Sequence, residues 1–316
     1  MNILITGSNG FVGNALYKRI LDEGHHITTL DRCKIRKVNS EQTRQYEVGD
    51  FANVVDWKPY LKDIDIIYHL AGRAHVMHDN SDNKILEYRL NNTFPTQNLF
   101  RDAGQVGVKR FIFMSSIKVN GERTDTNHSF NEDTYETTID PYGLSKFEAE
   151  QSIIRQSQKS KTEFVIIRPP MIYGKGVKGN LVNLIKAVKK GFPLPFGCIN
   201  NTRSLIGLNN LIDILVISMN HPRALNEIFV VSDFNISIKN LIKKIGYLSN
   251  KNSNLIKISP KILKLVFKVI RRDDLVDKLI SNLELNNDKV KRYLDWCPAY
   301  TIDDELKDCI DSVYKD

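Results

Sequence analysis

Six short, nearly unbroken apolar runs alternate with helical patterns over the first two thirds of the chain, and this alternation restricts the fold more than any other feature. The runs are NILIT (2–6), HITTL (26–30), YEVGD (46–50), IDIIYHL (64–70), RFIFMS (110–115) and FVIIRP (164–169). A strand with one wet face alternates apolar and polar residues; a strand apolar throughout is covered on both faces, as in a parallel sheet between two helix layers. Helical patterns fall between the runs: FVGNALYKRILDEG, the segment 83–104, and SKFEAEQSIIRQ. Strand–helix–strand order of this kind needs crossover connections. The expected fold is α/β, a doubly wound parallel sheet. Beyond residue 170 the pattern loosens into Gly-, Pro- and Asn-rich loops and short helices. Residues 1–170 are assigned to the sheet domain, joined by part of 205–232, and 171–316 to a smaller C-terminal domain interleaved with it.

The turn after the first run carries the first chemistry. In TGSNGFVG, Gly7, Gly10 and Gly13 follow a strand and open a helix. Glycines there let the backbone turn tightly and approach a pyrophosphate, whose charge sits at the helix N-terminus. Phe11 and Val12 present the first helical N–H groups. Asp31 ends the second run 18 residues beyond Gly13, where a carboxylate accepts hydrogen bonds from ribose hydroxyls and favours NAD. Arg32 follows at once and suits a 2′-phosphate, so NADP stays open as the second choice. Asp50 ends the third run beside Phe51; it either meets the adenine or is a turn residue.

A second constellation lies further on. FMSS ends the fifth run, placing Ser115 and Ser116 where ligands bind in open α/β sheets. PYGLSK follows, with Tyr142 26 residues after Ser116. Tyr142 and Lys146 are one helical turn apart and share a face. An ammonium beside a phenol favours the phenolate. A tyrosine tuned that way exchanges a proton with a carbinol oxygen while hydride moves at its carbon. Ser116 is placed to hydrogen-bond the same oxygen.

Together TGSNGFVG, HLAG (69–72), MSSIKVNG, PYGLSK and RPPMIYG resemble the extended short-chain dehydrogenase/reductases, the NAD-dependent epimerase/dehydratase family. The likeness runs over most of the chain, to NDKVKRYLDWCP (287–298). It implies a Rossmann sheet holding NAD(P) through Gly7, Gly10, Phe11, Val12 and Gly13, with Asp31, Arg32, Asp50 and Phe51 around the adenosine. It implies that Leu70, Ala71 and Gly72 flank the cofactor, and that Ser116, Tyr142 and Lys146 are catalytic. Asn92 matches an asparagine beside the nicotinamide, with Asn91 as a rival one residue away. Members acting on nucleotide sugars imply diphosphate contacts from Asn180 and Arg203; a guanidinium suits such a contact, and a surface ion pair is the plainer alternative for Arg203. Similar proteins form homodimers through two helices from each subunit, here 83–104 and 143–157.

Three reactions share that scaffold. Members similar to 4,6-dehydratases carry an Asp-Glu pair directly after the hydroxyl residue; here Ile117 and Lys118 stand there, and Lys118 is assigned to the substrate site. Hydride transfer at C4 of a UDP-sugar remains. The strings SSIKVNGE, VIIRPPMIYG and RSLIGLNNL resemble bacterial surface-polysaccharide enzymes. The favoured expectation is reduction of UDP-2-acetamido-2,6-dideoxy-4-hexulose. The alternative is a UDP-hexose or UDP-N-acetylhexosamine 4-epimerase. A non-catalytic dinucleotide sensor is a remote third.

Composition narrows the partners. With 45 Lys and Arg against 37 Asp and Glu, the net charge of +8 suits anionic ligands, yet no nucleic-acid motif accompanies it and none is expected to bind. Cys33, Cys198, Cys297 and Cys309 are scattered, which argues against a zinc site or a disulfide framework. His69, His75 and His78 form no metal pattern, and His69 is expected to pack near the cofactor loop. No metal is expected. No apolar run approaches the ~18 residues of a membrane span, and Met1 leads straight into a strand, so the expected location is cytoplasmic. The segment PKILKLVFKVIRR (260–272) is basic and amphipathic; it packs on the second domain or lies on an anionic membrane.

Overall fold

A computed structural model describes residues 1–33, 40–74, 83–135, 140–269, 276 and 279–313. Seven parallel strands form the main sheet, in the order β3-β2-β1-β4-β5-β6-β9. They are β1 (Asn2–Thr6), β2 (His26–Asp31), β3 (Thr43–Glu47), β4 (Ile66–His69), β5 (Arg110–Met114), β6 (Glu163–Arg168) and β9 (Glu227–Val230). Alternate residues of each central strand enter different cores. Ile3, Ile5, Ile66, Tyr68, Ile112, Val165 and Ile167 meet α1 (Phe11–Asp22) and α6 (Leu208–Asn220). Leu4, Ile67, Phe111, Phe113 and Ile166 meet α3 (Phe94–Val106) and α4 (Pro141–Ser157). Two apolar faces are the reason the runs are unbroken. The doubly wound parallel sheet is the expected fold class.

The edges depart from the sequence pattern. The third strand is Thr43–Glu47 rather than 46–50. The ladder with β2 runs from Thr43 to Glu47, so only Tyr46 and Glu47 of the expected run lie in it; an edge strand has one neighbour and one poorly covered face and can be polar. Asp50 therefore ends no strand; its carboxylate caps the turn Phe51–Asn53 by accepting from the Ala52 N–H. At the opposite edge β9 pairs with β6. It was absent from the six runs, because EIFV is short and begins on a charge.

The segment expected as one helix over 83–104 is broken. It comprises α2 (Lys84–Tyr88), a π-helical turn at Arg89–Thr93, and α3. Pro95 at the start of α3 has no N–H to give the preceding turn, and the wider π turn absorbs the mismatch. Arg89 crosses to Glu148 of α4 as a forked ion pair.

The C-terminal lobe has its own core. A three-stranded sheet, β10-β8-β7, comprises β7 (Met171–Tyr173), β8 (Arg203–Gly207) and β10 (Phe234–Ile236). Around it sit α5 (Asn180–Lys189), α7 (Ile238–Leu248), α8 (Pro260–Val269) and α10 (Ile302–Ser312), while α9 (Asp288–Leu294) returns to the main sheet beside β9.

A buried acid ties this lobe to the main sheet. Glu305 of α10 accepts from the Asn209 N–H (2.7 Å) and the Asn210 N–H (3.3 Å), capping the start of α6. Gly207 leaves it room, since a Cβ there would lie 2.6 Å from Oε1. Its other oxygen has no hydrogen-bond partner among the described residues, and burial pushes its pKa up to about 7. Between its ordinary value near 4.5 and about 7, the folded state holds a proton that the unfolded chain has released. This group's contribution to stability therefore falls as pH rises through that window. Glu305→Gln is expected to match the parent at pH 4 and to exceed it by about 1–3 kcal/mol at pH 8. Urea melts at the two pH values test this, and an equal change at both would refute it.

Candidate active site

Strand order reverses between β1 and β4, the place where open sheets bind ligands. The first glycine turn stands there. Gly7 has φ +72° and its N–H donates to the Leu30 carbonyl (3.1 Å). A Cβ on Gly7 would come within 2.9 Å of the Ala71 backbone, and one on Gly13 within 2.1 Å of the Gly7 carbonyl oxygen. The three glycines thus let β1, α1 and the segment after β4 touch backbone to backbone. Gly10 caps α1 with no side chain over the helix end, and Phe11 and Val12 form its first turn. This bare, positive helix terminus in a glycine cradle fits a dinucleotide pyrophosphate.

A cleft of about 320 Å³ opens beside it, lined by Gly7, Gly10, Asp31, Arg32, Phe51, Leu70, Ala71, Gly72 and Asn91. Asp31 faces back onto the turn, accepting from the Ser8 hydroxyl (2.6 Å) and the Asn9 N–H (3.1 Å). It sets the loop's shape as well as lining the cleft. Arg32 is an exposed lining residue; Asp50 is exposed outside that lining, and Phe51 is buried.

His69 is inside the sheet. Thr96 donates to the Asn92 carbonyl (2.6 Å), so Thr96 accepts from Nε2 (2.9 Å), and Nδ1 accepts from Thr6 (2.8 Å). The Ala71 N–H in turn donates to Thr6 (3.1 Å). One neutral imidazole thereby links the cofactor-side loop to the π turn. Burial, helped by the Lys146 charge, holds its pKa down at about 3. His75 and His78 lie outside the described residues.

The π turn sends the two asparagines to different places. Asn92 is buried; its carbonyl oxygen accepts from the Arg73 N–H (2.7 Å), and its amide donates to the Arg73 carbonyl (3.1 Å) and Ser145 (2.9 Å). Asn91 lines the cleft. Gly72 lies between Asn92 and Lys146, for a Cβ there would be 3.0 Å from Asn92 Oδ1 and 3.2 Å from Lys146 Nζ.

Ser116 and Tyr142 meet, while Lys146 turns to the end of β5. Asp140 accepts from the Gly143 N–H (2.8 Å) and caps α4, with Pro141 at its first position. The Tyr142 phenol is hydrogen-bonded to Ser116, but burial outweighs that bond and raises its pKa to about 12. The ammonium of Lys146 donates to the Met114 carbonyl (2.9 Å) and lies 4.6 Å from the Phe113 ring centre. Burial lowers its pKa to about 8, with Glu150 opposing. The lowering of the tyrosine expected from the sequence is thus not produced by the chain alone. The lysine faces the strand end rather than the phenol.

Lys118 lies over the Tyr142 ring, 5.9 Å from its centre, and bridges Asp140 (3.1 Å) and Glu122 (3.2 Å). Glu122 also acts on Arg203, whose Nη1 donates to the Ser281 carbonyl (3.2 Å) and whose pKa burial lowers. One acid therefore relates the Tyr142 side to Arg203, which is half-buried at the start of β8. Asn180 stands exposed at the first position of α5.

Several members were not singled out from sequence: Asp140, Ser145, His69's two threonines, Glu122 and Glu150. The Asp-Pro pair before α4 was a readable cap signal. Glu150, one turn past Lys146 in the same helix, carried a spacing signal of the same kind.

Residues 3–235 match the model of the NAD dependent epimerase/dehydratase family. The chain belongs to this family. Its members are enzymes that use NAD, and the glycine cradle is in keeping with that cofactor. The UDP-glucose 4-epimerase of Vibrio cholerae is 39% identical over 309 residues, 97% of this chain and 93% of that protein. The N-acetyl-alpha-D-glucosaminyl-diphospho-ditrans,octacis-undecaprenol 4-epimerase of Escherichia coli O157:H7 is 26% identical over 79% of this chain and 73% of its own. Among solved structures, the UDP-glucuronic acid 4-epimerase of Bacillus cereus in complex with NAD superposes with a TM-score of 0.80. It covers 100% of this chain and 99% of its own at 21% identity, a likeness of fold.

Proposed function

We propose that the protein is an NAD-dependent 4-epimerase of a UDP-linked sugar. The observation that carries this is the near full-length match to the Vibrio cholerae UDP-glucose 4-epimerase. The reductase reading favoured from sequence has no comparable support among the relatives reported above. Bound NAD supplies the hydride acceptor and donor for C4. Tyr142 exchanges the proton of the C4 hydroxyl, and Ser116 hydrogen-bonds the same oxygen. Lys146, beside Gly72 and Asn92, holds the ribose side of the cofactor. Arg203 and Asn180 take the diphosphate, and Lys118 keeps a positive charge over the tyrosine ring. Asp31 and Asp50 serve the adenosine. The described exposed side chains Ile85, Leu86 and Phe94, on the 83–104 segment beside α4, are the face assigned to a homodimer.

The test is interconversion without added cofactor. Purified protein is expected to carry NAD by mass spectrometry and to convert UDP-glucose and UDP-galactose, or their N-acetylhexosamine pair, to the same mixture from either side. Stoichiometric consumption of reduced nicotinamide with a UDP-4-keto-6-deoxy sugar, and no interconversion, would replace the epimerase with the reductase.

A further inference from the structure

Helix α8 has three faces. Leu263 and Phe267, one turn apart, enter the C-terminal core. Ile262, Leu265, Val266 and Val269 form a second row at spacings of three and four, and they are 55%, 64%, 50% and 76% exposed. Lys261, Lys264 and Lys268 form a third row, all exposed. The helix is thus apolar on a face that the protein's own core leaves uncovered, and cationic beside it.

The charge around it is one-sided. From residue 234 to 269 there are eight lysines and no Asp or Glu. In sequence the flanking acids are Asp233 before this stretch and Asp273, Asp274 and Asp277 after it, and across the lobe Lys244 of α7 pairs with Asp303 of α10. An apolar ridge bordered by lysines on an acid-free segment matches the interface of an anionic bilayer, which takes the ridge into its acyl boundary and the ammonium groups among its headgroups. A second copy of the chain fits less well, since a two-fold contact through this face would bring the two lysine rows together.

We infer that α8 is a membrane-docking helix that seats the C-terminal lobe on anionic lipid. This is independent of which sugar the active site takes. No described helix is long and apolar enough to cross a membrane, so the association is peripheral and reversible.

Sedimentation of the full chain with phosphatidylcholine vesicles, with and without one quarter phosphatidylglycerol, tests it. Binding is expected with phosphatidylglycerol and to fall in 0.5 M salt. Each lysine contributes about fivefold near an anionic surface, so replacing Lys261, Lys264 and Lys268 by Gln together should weaken binding about a hundredfold. Leu265→Asp with Val269→Asp should abolish it with the circular dichroism spectrum unchanged, because neither side chain enters the core. Equal partition to both vesicle types, no partition to either, or binding that survives the aspartates would overturn the proposal. So would an aspartate variant that turns a dimer into a monomer in lipid-free buffer while the parent ignores vesicles, which would make the face a self-interface.

Discussion

Tyr142→Phe is expected to reduce turnover about a thousandfold while leaving the dinucleotide bound. The phenol is hydrogen-bonded to Ser116 at the strand ends and carries an exchangeable proton. Removing its oxygen leaves Lys146 on the Met114 carbonyl and the glycine cradle untouched. Binding and chemistry should therefore separate, with the loss in kcat and little change in cofactor retention. The surrounding chain holds the tyrosine at about 12 and the lysine at about 8. Both displacements come from burial, and both disfavour the charged form that the proposed chemistry uses. Binding a cationic nicotinamide ring beside the phenol would favour the phenolate. The pKa of Tyr142 should then fall when NAD is added, which an ultraviolet titration of Tyr142 against the Phe variant would show. Near-normal activity in Tyr142→Phe would remove the tyrosine from the mechanism.

The largest expected loss of stability is at Glu150. This carboxylate is fully buried in α4, accepts from Ser115, and is forked by Arg168 through Nε (3.0 Å) and Nη2 (2.6 Å). Arg168 is equally buried and reaches the Glu132 carbonyl (3.0 Å) and Asn120 (3.2 Å). Glu150→Ala leaves that guanidinium buried with neutral hydrogen-bond partners and no counter-charge, and breaking a buried pair from one side costs about 3–5 kcal/mol. Denaturant melts of Glu150→Ala against Glu150→Leu with Arg168→Met should show the double variant recovering much of the loss, because no charge is then left alone. A single variant within about 1 kcal/mol of the parent would mean the pair does not anchor the fold. Glu150 also supports the charge on Lys146. A folded Glu150→Gln should therefore lose activity at a lower alkaline pH than the parent, as Lys146 gives up its proton sooner.

The sequence by itself determined the parallel sheet, since residues covered on both faces must be apolar in either register. It also determined the backbone contacts of Gly7 and Gly13, because no other side chain fits a Cβ position 2–3 Å from another backbone. The placement of Tyr142 and Lys146 one turn apart in α4 followed from helical spacing alone. Edges were less legible: β3 is polar and slid three residues from its apolar neighbour, and β9 gave too short a signal. The tertiary structure decided what no spacing contains. It put Asn92 rather than Asn91 into the hydrogen bonds with Arg73, through a π turn. It turned Lys146 onto a carbonyl, joined Lys118, Glu122 and Asp140 around the tyrosine, and left the apolar row of α8 facing outward. Most of these depend on groups about twenty to thirty residues apart on different elements, and burial, which sets the charge states at the site, exists only once the chain has closed around them.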